Sequence, residues 1–240
     1  TARELREKLD GVRLCKDYKT LLEESDIVYI GYSLPIRTEM IREALKAKKH
    51  VIYDGLATLN PNELRDLMEL ARENHVILIE DTKMVHISTF NQLLWLTQGG
   101  CIGDIVSFNC SISKDDYDRE YLFYELGVLA LTPMLKIMGM DYKSFEQKVI
   151  KDGDRIEFAR MDFVYPNGRA VLAIGNNIRV ENQVEIIGTK GTIRMKSQWW
   201  RGSRFEVFYP DEEEPEIYNT NISGNGGRYL IKTISTMLKN

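Results

Sequence analysis

The segment that most constrains the fold runs from residue 26 to residue 63, where strand and helix patterns alternate twice. Residues 26–32 form a short apolar run rich in β-branched and aromatic side chains, which predicts a buried strand. Pro35 ends this run because proline disfavours helical geometry at the preceding residue, and a helical pattern then continues to Lys48. Residues 50–53 predict a second buried strand. Strands joined by a helix in this way lie parallel, and ligands bind beyond their carboxyl ends.

Two turns therefore mark the predicted ligand site. The candidate cofactor-binding residues in them are Tyr32, Ser33, Leu34, Pro35, Tyr53 and Asp54. We expect the two turns to open side by side into one cavity. An aspartate before Gly55 is also an ordinary turn sequence, so a purely structural role for Asp54 stays open.

The rest of the first half continues the alternation of helices and strands. Asn60 suits a helix N-cap, Pro61 suits the first helical position, and Glu63 completes a capping box. The pattern also predicts a helix over 2–9, a short strand over 12–14 and a buried strand over 76–79. Residues 1–82 thus predict an α/β domain with at least four strands in a parallel sheet covered by helices.

The second half, residues 83–240, has a different pattern. A strand over 105–112 and an apolar helix over 123–138 are followed mainly by strands. Turn sequences at 166–168 and 188–191 predict two hairpins, and residues 205–209 and 216–218 predict edge strands. Hairpins produce antiparallel sheet, so this half is predicted to be an α+β domain.

Composition excludes several classes of protein. The 240 residues carry a formal net charge of −4, which argues against an extended nucleic-acid surface. No apolar run approaches the roughly 20 residues of a membrane span, and no secretory signal opens the sequence. The three cysteines are widely spaced, which predicts reduced thiols in a cytoplasmic protein without a zinc site. Asp211–Glu214 is interpreted as a solvated loop, so no metal site is expected.

Several motifs together resemble the glucose–fructose oxidoreductase / inositol dehydrogenase (Gfo/Idh/MocA) family. They begin with the turn containing Pro35, which is followed by a helix and by Lys49-His50-Val51. Residues 100–105, 125–128 and 184–193 follow in the family's order. The resemblance implies an incomplete Rossmann-type parallel sheet followed by a domain with an open, mainly antiparallel sheet.

The resemblance also implies an activity. Members of this family are oxidoreductases that use NAD or NADP and act on a sugar, cyclitol or related hydroxylated small molecule. The Rossmann half holds the dinucleotide, while the second sheet supports the substrate and subunit contacts. This chain is therefore expected to form a homo-oligomer through its second-domain sheet.

Three departures from the family pattern affect the expected chemistry. The sequence lacks the glycine-rich phosphate motif, so we expect the first strand, phosphate loop and second strand to precede Thr1 in a longer chain. Asp54 stands where the family has a lysine that stabilises developing oxyanion charge. Leu129 stands where the family has an acid/base histidine, and leucine transfers no protons.

Other side chains are candidates for the missing roles. Catalysis would require Asp54, Lys83, His86 or Tyr124 to carry protons, although a surface or interface role for Lys83 and His86 is the alternative. Tyr121, Tyr124 and Glu125, with Tyr117, suit a sugar-like ligand, and interface packing explains them nearly as well. The pair Trp199 and Trp200 is interpreted as a subunit interface or pocket rim rather than core.

Two functions remain open from the sequence. The first is an NAD(P)-dependent oxidoreductase with an atypical active site. The second is a non-catalytic relative that binds a nucleotide or sugar ligand or serves as an assembly subunit. Because fold alone does not establish chemistry, the choice depends on the site.

Overall fold

A computed structural model describes residues 11–114, 121–222, 224 and 226–239. The chain divides into two compact units, the first ending at Asp81 and the second beginning at Thr82. The helix predicted over 2–9 lies outside the described residues.

The first unit alternates helices and strands around a small parallel sheet. Its elements are α1 (Tyr18–Glu23), β1 (Ile27–Ile30), α2 (Leu34–Lys46), β2 (His50–Tyr53), α3 (Pro61–Glu73) and β3 (Leu78–Glu80). The sheet order is β1-β2-β3, with both pairs parallel. The strand predicted over 12–14 is wrong, because these residues are irregular and pair with no strand among the described residues. The described part of this unit therefore has three strands instead of at least four.

Local side-chain bonds set the helix starts. The side chain of Asp17 accepts a hydrogen bond from the Thr20 backbone N–H at 2.8 Å, which caps α1. Asn60 caps α3 by accepting from the Asn62 N–H at 3.0 Å. The predicted capping box is wrong, because the Asn60 N–H donates to the Thr58 hydroxyl and Glu63 pairs with Arg42 instead.

The second unit contains most of the strands. Its helices are α4 (Ser88–Gln98), α5 (Leu122–Met138) and α6 (Gly227–Met237), with short 3₁₀ turns at Lys83–His86 and Trp199–Arg201. Its strands are β4 (Ile105–Lys114), β5 (Ser144–Asp152), β6 (Arg155–Tyr165), β7 (Gly168–Asn176), β8 (Gln183–Gly188), β9 (Thr192–Lys196), β10 (Arg204–Phe208) and β11 (Glu216–Asn219).

These eight strands form one mixed sheet in the order β11-β10-β9-β8-β4-β7-β6-β5. Both predicted hairpins, β6–β7 and β8–β9, are confirmed. The pair β4–β7 is parallel, and all other neighbouring strands of the sheet are antiparallel. The parallel pair is possible because the chain between β4 and β7 crosses over through α5. A small parallel sheet followed by a larger, mainly antiparallel one confirms the predicted fold class.

The core of the second unit lies between this sheet and α4 and α5. Phe90 and Leu93 of α4 and Ala130 and Met134 of α5 are fully buried. Trp199 belongs to the same cluster at 2% exposure, so its interpretation as interface or rim was wrong. Burial of its indole is compatible with folding because Nε1 donates to the Ser111 carbonyl oxygen at 3.1 Å.

Candidate functional site

The two turns that the sequence singled out are neighbours. Ile30, the last residue of β1, lies opposite Tyr53, the last residue of β2. The backbone N–H of Asp54 donates to the Ile30 carbonyl at 3.1 Å, and the Asp81 N–H donates to the Tyr53 carbonyl at 2.8 Å. The expected adjacency of the turns is confirmed, and the end of β3 joins them at the same edge of the sheet.

Two side chains of α2 connect these turns. The guanidinium of Arg37 donates from Nε to the Tyr32 carbonyl at 2.8 Å and from a terminal nitrogen to the Leu56 carbonyl at 2.7 Å. The Thr38 hydroxyl donates to the Ala57 carbonyl at 2.7 Å. Both side chains are buried, with Arg37 only 5% exposed. The loop after β2 is therefore held against the turn after β1 by buried hydrogen bonds.

Sequence reasoning missed Arg37. One signal for it was present, because position 37 falls on the same helical stripe as the buried Ile41 and Leu45. A charged side chain in an apolar stripe indicates a buried hydrogen-bonding role.

The candidate cofactor-binding residues divide by exposure. Leu34 and Tyr53 are buried, and burial together with the nearby Glu80 raises the pKa of Tyr53. Tyr32 is 57% exposed, and Ser33 and Asp54 are also exposed. Pro35 lies in the first turn of α2. Among the candidates whose side chains the structure describes, those of Tyr32, Ser33 and Asp54 reach solvent at this edge.

The second unit contains a cavity of about 240 Å³ between the end of β4 and the start of α5. Glu125, a predicted substrate-binding residue, lines this cavity, and so does Leu129. The other described residues that line it are Ile112, Ser113, Lys114, Leu122, Leu126 and Trp200. Trp200 thus occupies a pocket wall, as expected, whereas Lys114 was not foreseen. Among the described residues, its wall combines one ammonium, one carboxylate, one hydroxyl and one large ring with aliphatic side chains.

The remaining candidates lie elsewhere. Tyr121 precedes α5, and Tyr124 is partly exposed with its ring edge-to-face against Phe123 at 5.6 Å. Neither tyrosine is among the described residues that line the cavity. Tyr117 lies outside the described residues. The structure thus brings Glu125, but not Tyr121 or Tyr124, to this cavity wall.

Lys83 and His86 share the 3₁₀ turn that opens the second unit. The His86 ring nitrogen Nδ1 lies 3.1 Å from the Thr233 hydroxyl, which connects this turn to α6. Both Lys83 and His86 are half-buried. Their roles as proton carriers stay predictions.

Neither a metal-binding cluster nor a membrane-spanning helix is present among the described residues. These residues contain no group of three or more histidine, cysteine or acidic side chains arranged to hold a metal ion. Among them, no helix has the length and apolar character needed to cross a membrane. The three cysteines are free thiols, and burial raises the pKa of Cys110.

Comparison with known proteins places the first unit. Residues 1–82 match the family model GFO_IDH_MocA, described as an oxidoreductase family with an NAD-binding Rossmann fold. The resemblance to the Gfo/Idh/MocA family is confirmed. The segment that the family model matches includes both turns at the carboxyl edge of the parallel sheet.

The sequence relatives of this chain include named oxidoreductases. A dTDP-3,4-didehydro-2,6-dideoxy-alpha-D-glucose 3-reductase of Streptomyces violaceoruber is 30% identical over 43% of this chain and 31% of its own length. A Myo-inositol 2-dehydrogenase of Thermotoga maritima is 25% identical over 95% of this chain and 70% of its own. The chain spans only 31% and 61% of the first two curated relatives it matches.

The fold is also shared with solved structures. A 3-ketoreductase from Actinomadura kijaniata, in complex with TDP-benzene and NADP in an open conformation, superposes with a TM-score of 0.84. It is 21% identical, and the match covers 99% of this chain and 78% of that one. At this identity the similarity establishes the fold.

Proposed function

We propose that this protein is an NAD(P)-dependent oxidoreductase of the Gfo/Idh/MocA type, with an atypical active site, acting on a sugar, cyclitol or related hydroxylated small molecule. The observation that carries the proposal is the adjacency of the turns after Ile30 and Tyr53 within the segment that the family model matches. In a parallel sheet this edge is where dinucleotides bind.

Cofactor binding is assigned to the first unit. Tyr32, Ser33 and Asp54 offer exposed side chains at this edge. Leu34, Pro35 and Tyr53 would contribute the backbone shape of the turns, since Leu34 and Tyr53 are buried. The NADP in the Actinomadura kijaniata structure supports the choice of NAD or NADP as cofactor.

Substrate binding is assigned to the second unit. Glu125 supplies a carboxylate that accepts hydrogen bonds from hydroxyl groups, and Trp200 supplies a ring face for packing. Tyr121 and Tyr124 lie near the start of the same helix. The sugar-nucleotide and inositol relatives favour a hydroxylated substrate.

The active site is proposed to be atypical because the usual proton carriers are replaced. A carboxylate at Asp54 cannot stabilise a developing oxyanion as a lysine does. Leu129 lines the cavity without a titratable group. Proton transfer is therefore assigned to Asp54, Lys83, His86 or Tyr124.

A second function is favoured by the same replacement. An aliphatic Leu129 in the cavity wall fits a relative that binds a nucleotide or sugar ligand without turning it over. Assembly as a homo-oligomer through the second sheet fits either function, since every residue of β5 is exposed. The predicted cytoplasmic location remains a prediction.

The experiment that separates the functions is a cofactor titration followed by a turnover screen. NADH and NADPH are titrated while their fluorescence is followed, and sugars and polyols are then tested for reduction of NAD or NADP. Tyr32→Ala is expected to weaken cofactor binding, with Met68→Ala, an exposed residue of α3, as control. Binding without turnover favours the second function, and absence of binding of either dinucleotide contradicts the first.

A further inference from the structure

The cavity in the second unit is bounded by two side chains of opposite charge. Lys114 is the last residue of β4, and Glu125 lies in the first turn of α5. Both line the cavity. An ammonium group only donates hydrogen bonds, whereas a carboxylate only accepts them. A hydroxyl group is the common ligand group that can accept from one and donate to the other.

The other described residues of the cavity wall are mainly apolar, and the Ser113 hydroxyl already donates to the Val180 carbonyl at 3.0 Å. Leu126 and Leu129 of α5 and the ring of Trp200 offer surface that cannot exchange hydrogen bonds with a hydroxyl group. The Trp200 ring packs edge-to-face on Trp199 with centroids 5.9 Å apart. Trp199 is itself fixed by its bond to the Ser111 carbonyl, so the aromatic wall rests on a buried support. This wall suits the carbon face of a ring.

A buried amide lies beside Lys114. Asn176, the last residue of β7, is the register partner of Lys114 in the parallel pair, and the two side chains share the sheet face of Ile112 and Ile174. Nδ2 of Asn176 donates to the Ile156 carbonyl at 3.1 Å, which fixes the orientation of the amide. Its Oδ1 is buried without a hydrogen-bond partner among the described residues. A buried carbonyl oxygen of this kind calls for a donor.

We propose that Lys114 is a substrate-binding residue that selects a ring hydroxyl together with Glu125. The hydroxyl oxygen accepts from the ammonium, and its proton is donated to the carboxylate. A second N–H of Lys114 donates to Asn176 Oδ1, which makes Asn176 a positioning residue. This inference rests on the hydroxylated substrate of the proposed function and adds the group that recognises it.

The cavity also restricts the ligand. Its volume of about 240 Å³ lies below the range of about 300–1,000 Å³ that holds drug-sized ligands, so it suits a single ring. Hydroxyl groups facing Leu126, Leu129 or Trp200 would lose their hydrogen bonds to water without replacement. The favoured ligand is therefore a hydroxylated ring with one face or edge poor in hydroxyl groups, as in a deoxy sugar.

Calorimetric titration with L-rhamnose, a deoxy sugar, and with myo-inositol, which has a hydroxyl on every ring carbon, tests this inference. The full chain is expected to bind L-rhamnose more tightly than myo-inositol. Lys114→Met should weaken L-rhamnose binding roughly tenfold or more, the loss typical of a hydrogen bond to a charged group. Lys114→Arg should retain most of the affinity. Lys136→Met, which removes an exposed charge from the same unit outside the cavity, should change nothing.

Unchanged affinity in Lys114→Met, tighter binding of myo-inositol, or binding of neither probe overturns the inference. Asn176→Leu should weaken L-rhamnose binding less than Lys114→Met does. Asn176 is buried, so its replacement can prevent folding, but Lys114 is exposed and the Lys114 variants then still test the inference. Cofactor binding measured on the same samples keeps the two proposals apart. If NADPH binds but Lys114→Met leaves the affinity for L-rhamnose unchanged, only the role of Lys114 is contradicted. If sugar binding depends on Lys114 but neither NADH nor NADPH binds, only the oxidoreductase proposal is contradicted.

Discussion

The hydroxyl of Tyr29 donates a 2.8 Å hydrogen bond to Oδ2 of Asp81. Tyr29 belongs to β1 and Asp81 directly follows β3, so this bond connects the first and third strands of the parallel sheet. The Tyr29 side chain is 54% exposed, and partial desolvation together with the bond to Asp81 raises its pKa. The carboxyl edge of the sheet is thus fixed by side chains as well as by its backbone ladder.

Removing this hydroxyl should destabilise the first unit. Tyr29→Phe is expected to lower the free energy of unfolding by about 1–3 kcal/mol, because Asp81 loses a donor while remaining buried. Urea unfolding monitored by circular dichroism measures the change. Tyr32→Phe is the matched control, since Tyr32 lies at the same edge with a similar exposure, 57% against 54% for Tyr29, and should be near neutral. Equal effects of the two changes would contradict the role given to the bond.

The connection made by Arg37 gives a second prediction. Arg37→Met removes two buried donors to the Tyr32 and Leu56 carbonyls and should cost about 2–4 kcal/mol of stability. Arg72→Met removes an exposed arginine paired with Glu69 and should cost less than about 1 kcal/mol. Urea unfolding of both variants is the measurement. Amide hydrogen exchange should rise around residues 54–57 only in Arg37→Met, and unchanged exchange there would contradict the connection.

The tryptophans of the second unit give a third prediction. Trp199→Phe leaves a void in the core and deprives the Ser111 carbonyl of its donor, which should cost about 2–4 kcal/mol. Trp95 is 73% exposed on α4, so Trp95→Phe should change stability by less than about 0.5 kcal/mol. Thermal and urea unfolding compare them. Similar losses in both variants would contradict the burial of Trp199.

The free energy of unfolding should also depend on pH in the alkaline range. Burial and the nearby Glu43 raise the pKa of Tyr18 from its ordinary 10.0 to about 12, and its hydroxyl donates to the Met40 carbonyl at 2.8 Å. Below pH 10 both folded and unfolded chains keep this proton, so the contribution is complete. Between pH 10 and pH 12 only the unfolded chain loses it, so stability falls as pH rises. Urea midpoints across this interval should fall less steeply in Tyr18→Phe, and identical slopes would refute the assignment.

The last prediction tests the proposal that the active site is atypical. If Leu129 and Asp54 stand at the family's histidine and lysine positions, as the resemblance implies, replacing Leu129 by histidine and Asp54 by lysine should raise turnover roughly a hundredfold or more over the unmodified protein. Turnover of NAD or NADP with a panel of polyols is the measurement, and each single variant serves as control for the pair. A decrease in turnover in the double variant would indicate that Asp54 already takes part in catalysis.

The parallel sheet edge could be predicted because short apolar runs and the rules of strand crossover depend on nearby residues. The burial of Arg37 had a signal in the apolar helical stripe, but its hydrogen-bond acceptors could not be predicted. They include the Leu56 carbonyl, which reaches Arg37 only after the loop beyond β2 has folded back. The prediction of a short strand over 12–14 was wrong for a related reason, because an apolar pattern in the sequence does not ensure that a partner strand lies beside it.

The cavity between β4 and α5 was only partly predictable. Glu125 was found through the family motif, whereas Lys114 lies at the end of a strand whose pattern gives no sign of a pocket. Its neighbour Asn176 comes from β7, and the parallel pairing of β4 with β7 was not foreseen. Trp199 and Trp200 were treated as a unit, but consecutive residues of a 3₁₀ turn point in different directions. One enters the core and the other the cavity wall.

The position of β4 has a consequence for biosynthesis. Both strands that pair with it are made later, and β8 ends only at Gly188. While the ribosome is still adding these residues, the emerged segment Ile105–Lys114 has no neighbour on either side. Unpaired apolar strands associate with other chains. The nascent polypeptide can therefore associate with other chains through this strand until residue 188 has been made.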